Sequence, residues 1–361
     1  MIETVVPFLG QADDSNGELG GVIEEAFQLL AQLMDKVSGK FKEEFFDYLI
    51  TESQKKIYKD WCFCWDFLSI AADITDFTGE QKKLFSALDF LSEDNSRYCL
   101  EKAVEIKWKV IQKIGDKKGQ IQFLEKNLKL PTIRKSAIYF YRQQKNLQKA
   151  EKLATEGLRL TSEYPGLALD FQKQLLEIAK EQKDKVKIRE ITELLFFETS
   201  DLVYYSDLQK YWGTQWEQEK LIFLKRVQKE VVKRCGRFGI YTLAEIYARE
   251  GMRIELLRLI QKVSRESLRT SSDGSAVASC LKKYEKILKP DYANELAECY
   301  REIIEKELKA VWTDRKLYRE ICRYLRRMKK LGKGEMVSEL IIKLRNLYPR
   351  RKALLEELGN V

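Results

Sequence analysis

Along most of this chain apolar residues recur at steps of three and four, the spacing that gathers them on one face of an α-helix. The steps persist over 18–37, 40–51, 54–76, 80–91 and 96–114, as in Trp61, Trp65 and Leu68, and each run reads as an amphipathic helix. From about residue 120 the runs come in pairs, parted by Gly, Asn, Asp or Pro. Such pairs predict helical hairpins: 132–144 with 147–161, 166–182 with 185–197, 240–250 with 253–263, 276–288 with 291–309, and 314–331 with 335–347. Two segments break the pattern, 199–215 and the polar stretch Thr270-Ser271-Ser272-Asp273-Gly274-Ser275, which reads as a loop.

One hairpin carries more than periodicity. In Ala137-Ile138-Tyr139-Phe140-Tyr141, Ala150-Glu151-Lys152-Leu153-Ala154, Gly157 and Pro165, small residues let two helices approach and an aromatic fills the groove between them. Setting Ala150 at the small-residue position of a tetratricopeptide motif brings Tyr141 and Gly157 near its aromatic and second small positions, with Pro165 about three residues late. The expected fold is therefore all-α, a set of tetratricopeptide-like hairpin repeats of irregular length forming a curved solenoid with one extended concave face.

Composition supports long helices. With 5 Pro and 18 Gly in 361 residues, helix breakers are scarce, and 34% charged residues beside 44% apolar ones fit helices that show solvent a salt-bridged face. Charge changes the picture more than its total of +9. Residues 1–100 hold 19 acidic against 9 basic side chains, whereas the remainder holds 37 against 56. The switch coincides with Gly115-Asp116-Lys117-Lys118-Gly119, which divides the expected chain into an acidic helical region, 1–115, and a basic helical-repeat region, 116–361. No N-terminal leader pattern and no apolar run of membrane-spanning length is present, and the seven cysteines are scattered in apolar patterns, so a cytoplasmic protein with reduced, buried thiols is expected.

Candidate chemistry is thin. The chain has no histidine, which removes the commonest general base and every Ser-His or Cys-His nucleophile pair. Gly332-Lys333-Gly334 lacks the Lys-Ser/Thr of a phosphate loop and reads as a helix end and turn. Asp13-Asp14-Ser15-Asn16-Gly17 fails as a calcium loop, because alignment puts Ala12 first and Ile23 where a bidentate Glu is required; these residues read as the cap of the following helix. Cys62-Phe63-Cys64 has the spacing of half a metal site, but no second pair lies near, so the cluster from Trp61 to Trp65 reads as core inside a helix. Glu24-Glu25, Glu43-Glu44 and Glu356-Glu357 are adjacent in sequence and point to different sides of a helix. The expectation is no enzyme, no metal and no cofactor.

Two basic clusters remain. Arg226, Lys229, Lys233 and Arg237 fall at three- and four-residue steps on one helix face, and Arg323, Arg326, Arg327 and Lys330 crowd a second helix. Either could meet an acidic protein or track a phosphate backbone, although no stacking aromatics are interleaved regularly. The plainer reading is a solvated helix face, since Lys and Glu alternate through most of the region.

The C-terminal residues carry a resemblance. Arg315-Lys316-Leu317-Tyr318-Arg319-Glu320, Tyr324-Leu325-Arg326-Arg327-Met328-Lys329-Lys330-Leu331 and the stretch from Leu344-Arg345-Asn346-Leu347-Tyr348-Pro349 to Leu358 look like the closing helices of bacterial SWIM zinc-finger proteins. Tyr292-Ala293-Asn294-Glu295-Leu296-Ala297-Glu298-Cys299-Tyr300-Arg301 is similar to an upstream helix of that family, and Asp13 to Gly20 resembles the turn that opens its helical region. The family's finger needs Cys-x-Cys followed by Cys-x-His, which a chain without histidine does not complete. What is resembled is the region after the finger, in a separate homologue or an isolated C-terminal part. The resemblance implies interaction with protein or nucleic acid. The reading is a non-enzymatic scaffold or adaptor that binds a protein or peptide on its concave face; the alternative is a nucleic-acid accessory using the basic half.

Overall fold

The computed structural model describes residues 2–33, 36, 38–58, 60–76, 78–92, 96–269, 274–309 and 314–361; side chains at 78, 234, 235, 237, 263–269 and 274–278 lie outside the description. Among the described residues every regular element is helical. The chain packs as two compact units, Met1–Ile191 and Thr192–Val361.

The first unit opens with α1 (Ile2–Val5), α2 (Glu18–Leu33), α3 (Gly39–Ser53), α4 (Cys64–Ile74), α5 (Thr78–Ser92) and α6 (Arg97–Ile114). It continues with α7 (Lys117–Lys126), α8 (Pro131–Gln143), α9 (Leu147–Leu160), α10 (Pro165–Gln182) and the start of α11 (Lys185–Thr199). Two apolar cores form in it, the first around Phe46, Leu49, Phe67, Leu68 and Leu88, the second around Leu124, Ile138, Ala150, Ala154 and Phe171. Helix α6 serves both, because its apolar positions face two ways: Ile106 and Val110 join the first core, Trp108 the second. The second unit runs through α12 (Leu202–Trp212), α13 (Trp216–Cys235), α14 (Arg237–Arg249), α15 (Arg253–Arg269), α16 (Gly274–Glu307), α17 (Arg315–Lys330), α18 (Gly334–Leu347) and α19 (Lys352–Gly359), around one core that extends from Phe196 to Leu358.

The hairpin reading holds, and the turns show why. At α8–α9, α10–α11, α14–α15 and α17–α18 one residue adopts left-handed backbone geometry: Lys145 (φ 58°), Lys183 (φ 59°), Gly251 (φ 68°) and Gly332 (φ 81°). The next residue's N–H then reaches the carbonyl five back, Asn146 to Tyr141 at 2.9 Å, Asp184 to Ala179 at 3.0 Å, Met252 to Tyr247 at 2.9 Å and Lys333 to Met328 at 3.1 Å. This closure satisfies carbonyls that a helix end leaves unpaired. Helix α16 bends at Tyr292, two residues after Pro290, and its halves fold back on each other. Tyr300 donates to Glu285 Oε2 at 2.9 Å, whereas 15 residues of straight helix would part them by about 22 Å.

Two expectations are corrected. The run 54–76 is not one helix: a 3-10 turn occupies Lys56–Tyr58 and Cys62 takes a left-handed conformation (φ 61°), so Cys62 precedes α4 instead of lying within a helix. The supposed break at 199–215 is largely helical, because Tyr205 and Leu208 of α12 bury themselves in the core and Asp201 caps the helix by accepting from the Val203 N–H at 2.9 Å. The expected loop at 270–275 falls largely outside the described residues, and α16 opens at Gly274. The turn at 13–17 acts as expected of a cap, Asp14 accepting from the N–H groups of Leu19 (2.8 Å) and Gly20 (3.0 Å).

Buried tyrosines meet carboxylates that are themselves paired with cations. Tyr205 donates to Glu250 (2.6 Å), which also holds Lys220 (3.1 Å); Tyr284 donates to Glu245 (3.0 Å), paired with Lys283 (2.7 Å); Tyr300 donates to Glu285, paired with Arg327 (3.0 Å). In the first unit Tyr58 donates to Glu52 (3.0 Å), paired with Lys55 (2.7 Å). Each trio satisfies a phenol that would be costly to bury alone. Burial first, then the neighbouring carboxylate, pushes all four phenols well above the usual tyrosine range.

Candidate functional site

Helix α17 is the most strongly two-faced element of the chain. Tyr318, Ile321, Cys322, Tyr324, Leu325 and Met328 are buried at three- and four-residue steps, which leaves Lys316, Arg319, Arg323, Arg326 and Lys330 on the exposed face. Asp314 starts the helix by accepting from the Leu317 N–H at 2.7 Å. Arg327, Lys329 and Lys330 close it, where positive charge complements the helix dipole.

Beside this face, between α17 and the first half of α16, lies a half-open groove of about 630 Å³. Lys282, Lys316, Arg319 and Arg323 line it, with Glu307, Asp314, Glu320 and the ring of Tyr324. The acids there are already engaged. Glu320 holds Lys282 at 2.8 Å and Arg323 at 2.6 Å; burial works against its charge, but these two cations keep its carboxyl below the usual range. Asp314 spends an oxygen on the helix cap. Arg319 leans to Glu357 at 3.3 Å, and Lys316 makes no ion pair among the described residues. Lys282 also sits 5.4 Å from the Tyr324 ring centroid. The lining of the groove thus holds one more cation than acid, with Lys282 lying over the buried Tyr324 ring.

The basic residues read from sequence are placed unequally. Arg226 is tied into the fold: its guanidinium lies 4.5 Å from the Phe197 ring centroid and pairs with Glu193 and, at 3.4 Å, with Glu230. Lys229 and Lys233 are exposed on α13, while the Arg237 side chain lies outside the described residues. On α17, Arg323 lines the groove, Arg326 donates to the Asn360 carbonyl at 3.2 Å, Arg327 is spent on Glu285, and Lys330 is exposed. The helices that carry the two clusters are linked through others: α13 packs with α14, α14 with α15 and α16, and α16 with α17. Lys316 and Arg319, which share the exposed face of Arg323, were readable from the same spacing. Lys282 was not, since only the fold-back of α16 against α17 brings it there.

Among the described residues no three metal-ligating side chains converge. Cys64, Cys280 and Cys322 are free and buried, and burial pushes their thiols up to about 11, so they stay protonated at neutral pH. No described helix is long and apolar enough to cross a membrane.

No protein-family model and no curated protein matches the chain. Among solved structures, it is similar to a chain of the structure of Naa15/Naa10 bound to HypK-THB, at 11% identity over 99% of this chain and 64% of that one, with a TM-score of 0.25. It is also similar to a circular tandem repeat protein with novel repeat topology and enhanced subunit contact surfaces, at 15% identity over 99% of this chain and 92% of that one, with a TM-score of 0.22. The all-α hairpin fold rests on the helices and turns described above, not on these likenesses.

Proposed function

We propose that the chain is a non-enzymatic helical-repeat scaffold or adaptor that binds a protein partner, and that the groove beside α17 takes an acidic segment of it. The observation that carries this is the charge of the groove: four cations meet three acids, and while Lys282 and Arg323 share Glu320 and Arg319 leans to Glu357, Lys316 is in no ion pair among the described residues. An extended peptide offering Asp or Glu to Lys316 and Arg319 complements that lining.

The test is fluorescence anisotropy of the full chain with a labelled Asp/Glu-rich peptide of about ten residues, against Lys316→Glu/Arg319→Glu. Both positions are exposed, so the double variant should fold. Loss of two attractive charges should weaken binding at least tenfold, on the order of 1.4 kcal/mol. Equal binding by wild type and variant refutes the proposal. The rival reading, a nucleic-acid accessory, is favoured by the exposed Lys229 and Lys233. It requires nanomolar binding to an oligonucleotide at physiological salt that Lys229→Ala/Lys233→Ala abolishes, whereas non-specific contacts give Kd on the order of 10⁻⁴ to 10⁻⁶ M.

A further inference from the structure

A second cleft, of about 410 Å³, lies in the first unit between the start of α4 and the outer face of α6. Four aromatic residues line it, Trp61 and Tyr98 at 45% and 50% exposed, Phe63 half-buried and Trp65 buried, together with Asp66, Lys102, Glu105 and Lys109. Exposure of two large rings beside one cleft costs stability that burial would have returned. The backbone supports this arrangement at a further cost. Cys62, with no glycine's freedom, is held at φ 61°, and this turn separates Trp61 at the mouth from Trp65 in the core.

Two carboxylates stand in the cleft, Glu105, which is paired with Lys102, and Asp66. Asp66 opens α4, is accessible to solvent, and makes no ion pair among the described residues. The nearest cations are otherwise engaged: Lys102 pairs with Glu105 at 3.3 Å and lies 5.9 Å from the Tyr98 ring centroid, and Lys109 pairs with Asp73 at 2.6 Å. Burial holds the Asp66 carboxyl above the usual range, with Lys102 acting in the opposite sense. An exposed carboxylate left without an ion pair beside an exposed indole complements one chemical class, an organic cation.

We propose that this cleft binds the guanidinium or ammonium head of an Arg or Lys side chain from a partner protein, with Asp66 as counter-ion and Trp61 as cation–π wall. The site is distinct from the basic groove of the second unit and selects the opposite charge. A partner that carried both an acidic and a basic segment would use each.

Calorimetric titration of the full chain tests this with acetyl-Gly-Arg-Gly-amide and acetyl-Gly-Lys-Gly-amide, tetramethylammonium chloride, and the citrulline peptide as the neutral isostere of arginine. At least one cationic peptide should bind saturably at one per chain while the citrulline peptide does not. Asp66→Asn, which keeps shape and removes charge, and Trp61→Ala, at an exposed ring, should each weaken that binding about tenfold. Four results overturn the proposal. One is no saturation by either peptide up to about 10 mM. Another is equal binding of the citrulline peptide. The third is unchanged affinity in both variants with the helical circular dichroism signal intact. Binding of tetramethylammonium without either peptide would also overturn it, since the occupant would then be a small quaternary ammonium and not a side chain.

Discussion

Gly157 on α9 faces Phe171 on α10 so closely that a Cβ there would stand 2.5, 2.7 and 2.8 Å from Cε1, Cδ1 and Cζ of the ring. Ordinary carbon contacts lie at about 3.5–4.0 Å, so Gly157→Ala demands a ring shift on the order of 1 Å. Phe171 is fully buried within the second core of the first unit, so its ring has no route to solvent. Two effects oppose each other. Ala gains roughly 1 kcal/mol over Gly inside a helix, while overpacking a closed core costs about 1–3 kcal/mol. Overlap with three ring carbons at once places the cost at the upper end, for a net loss of about 1–2 kcal/mol. Urea unfolding of the full chain followed by circular dichroism measures it. Gly166→Ala is the control, because nothing lies within 4 Å of a Cβ at that position on α10, and there the propensity gain should appear uncompensated as about 0.4–1 kcal/mol of added stability. Phe171→Leu makes room, so in its background Gly157→Ala should turn neutral or stabilising, a coupling that a double-mutant cycle reads directly. An unchanged or raised urea midpoint for Gly157→Ala alone, or an equal cost in both backgrounds, would refute the packing argument.

The hairpin turns predict opposite signs for equivalent positions: Lys145→Gly and Lys183→Gly should each stabilise by about 0.5–1 kcal/mol by relieving left-handed geometry at exposed sites, and Gly251→Ala should cost about 1 kcal/mol, all read as shifts of urea midpoint. Lys220→Met should cost about 3 kcal/mol or more, because it strands the buried Glu250 carboxylate, whereas Tyr205→Phe leaves that ion pair in place and should cost about 1.5–3 kcal/mol; a reversed order in thermal denaturation would contradict the assignment. Alkaline stability follows from the four raised phenols, Tyr58, Tyr205, Tyr284 and Tyr300. Below the ordinary tyrosine value of 10.0 both folded and unfolded states keep these protons, and above it the unfolded state releases them first, so stability should fall as pH rises past about 10. Phenolate absorbance should show these four titrating together with loss of helical signal; early, reversible titration of all the tyrosines in a folded chain would show that the trios do not form.

The helices were legible along the chain, because helix boundaries are set locally. The run read as 147–161 is Leu147–Leu160, and those read as 166–182 and 185–197 are Pro165–Gln182 and Lys185–Thr199. Period, capping residue and the turn after each run lie within a few positions of one another, so a linear reading captures them. Where that reading failed, the deciding force was not local. The segment after Thr199 joined the core as α12 because Tyr205 found Glu250, 45 residues away. The stretch 54–76 broke where a left-handed Cys62 satisfies the packing of Phe63 against Phe27, whose ring centroids lie 5.8 Å apart, and no glycine or proline announced it. The same distinction governs the candidate sites. Charge on one helix face was legible in Arg323 and its neighbours, since spacing alone aligns side chains on a helix. Which charges remain available was decided only by tertiary structure: Arg226 is consumed by Glu193 and Phe197, Arg327 by Glu285, and Lys282 is brought to Glu320 from 38 residues away. Electrostatic pairing depends on distance in space, and a sequence fixes that distance only within a helical turn or two.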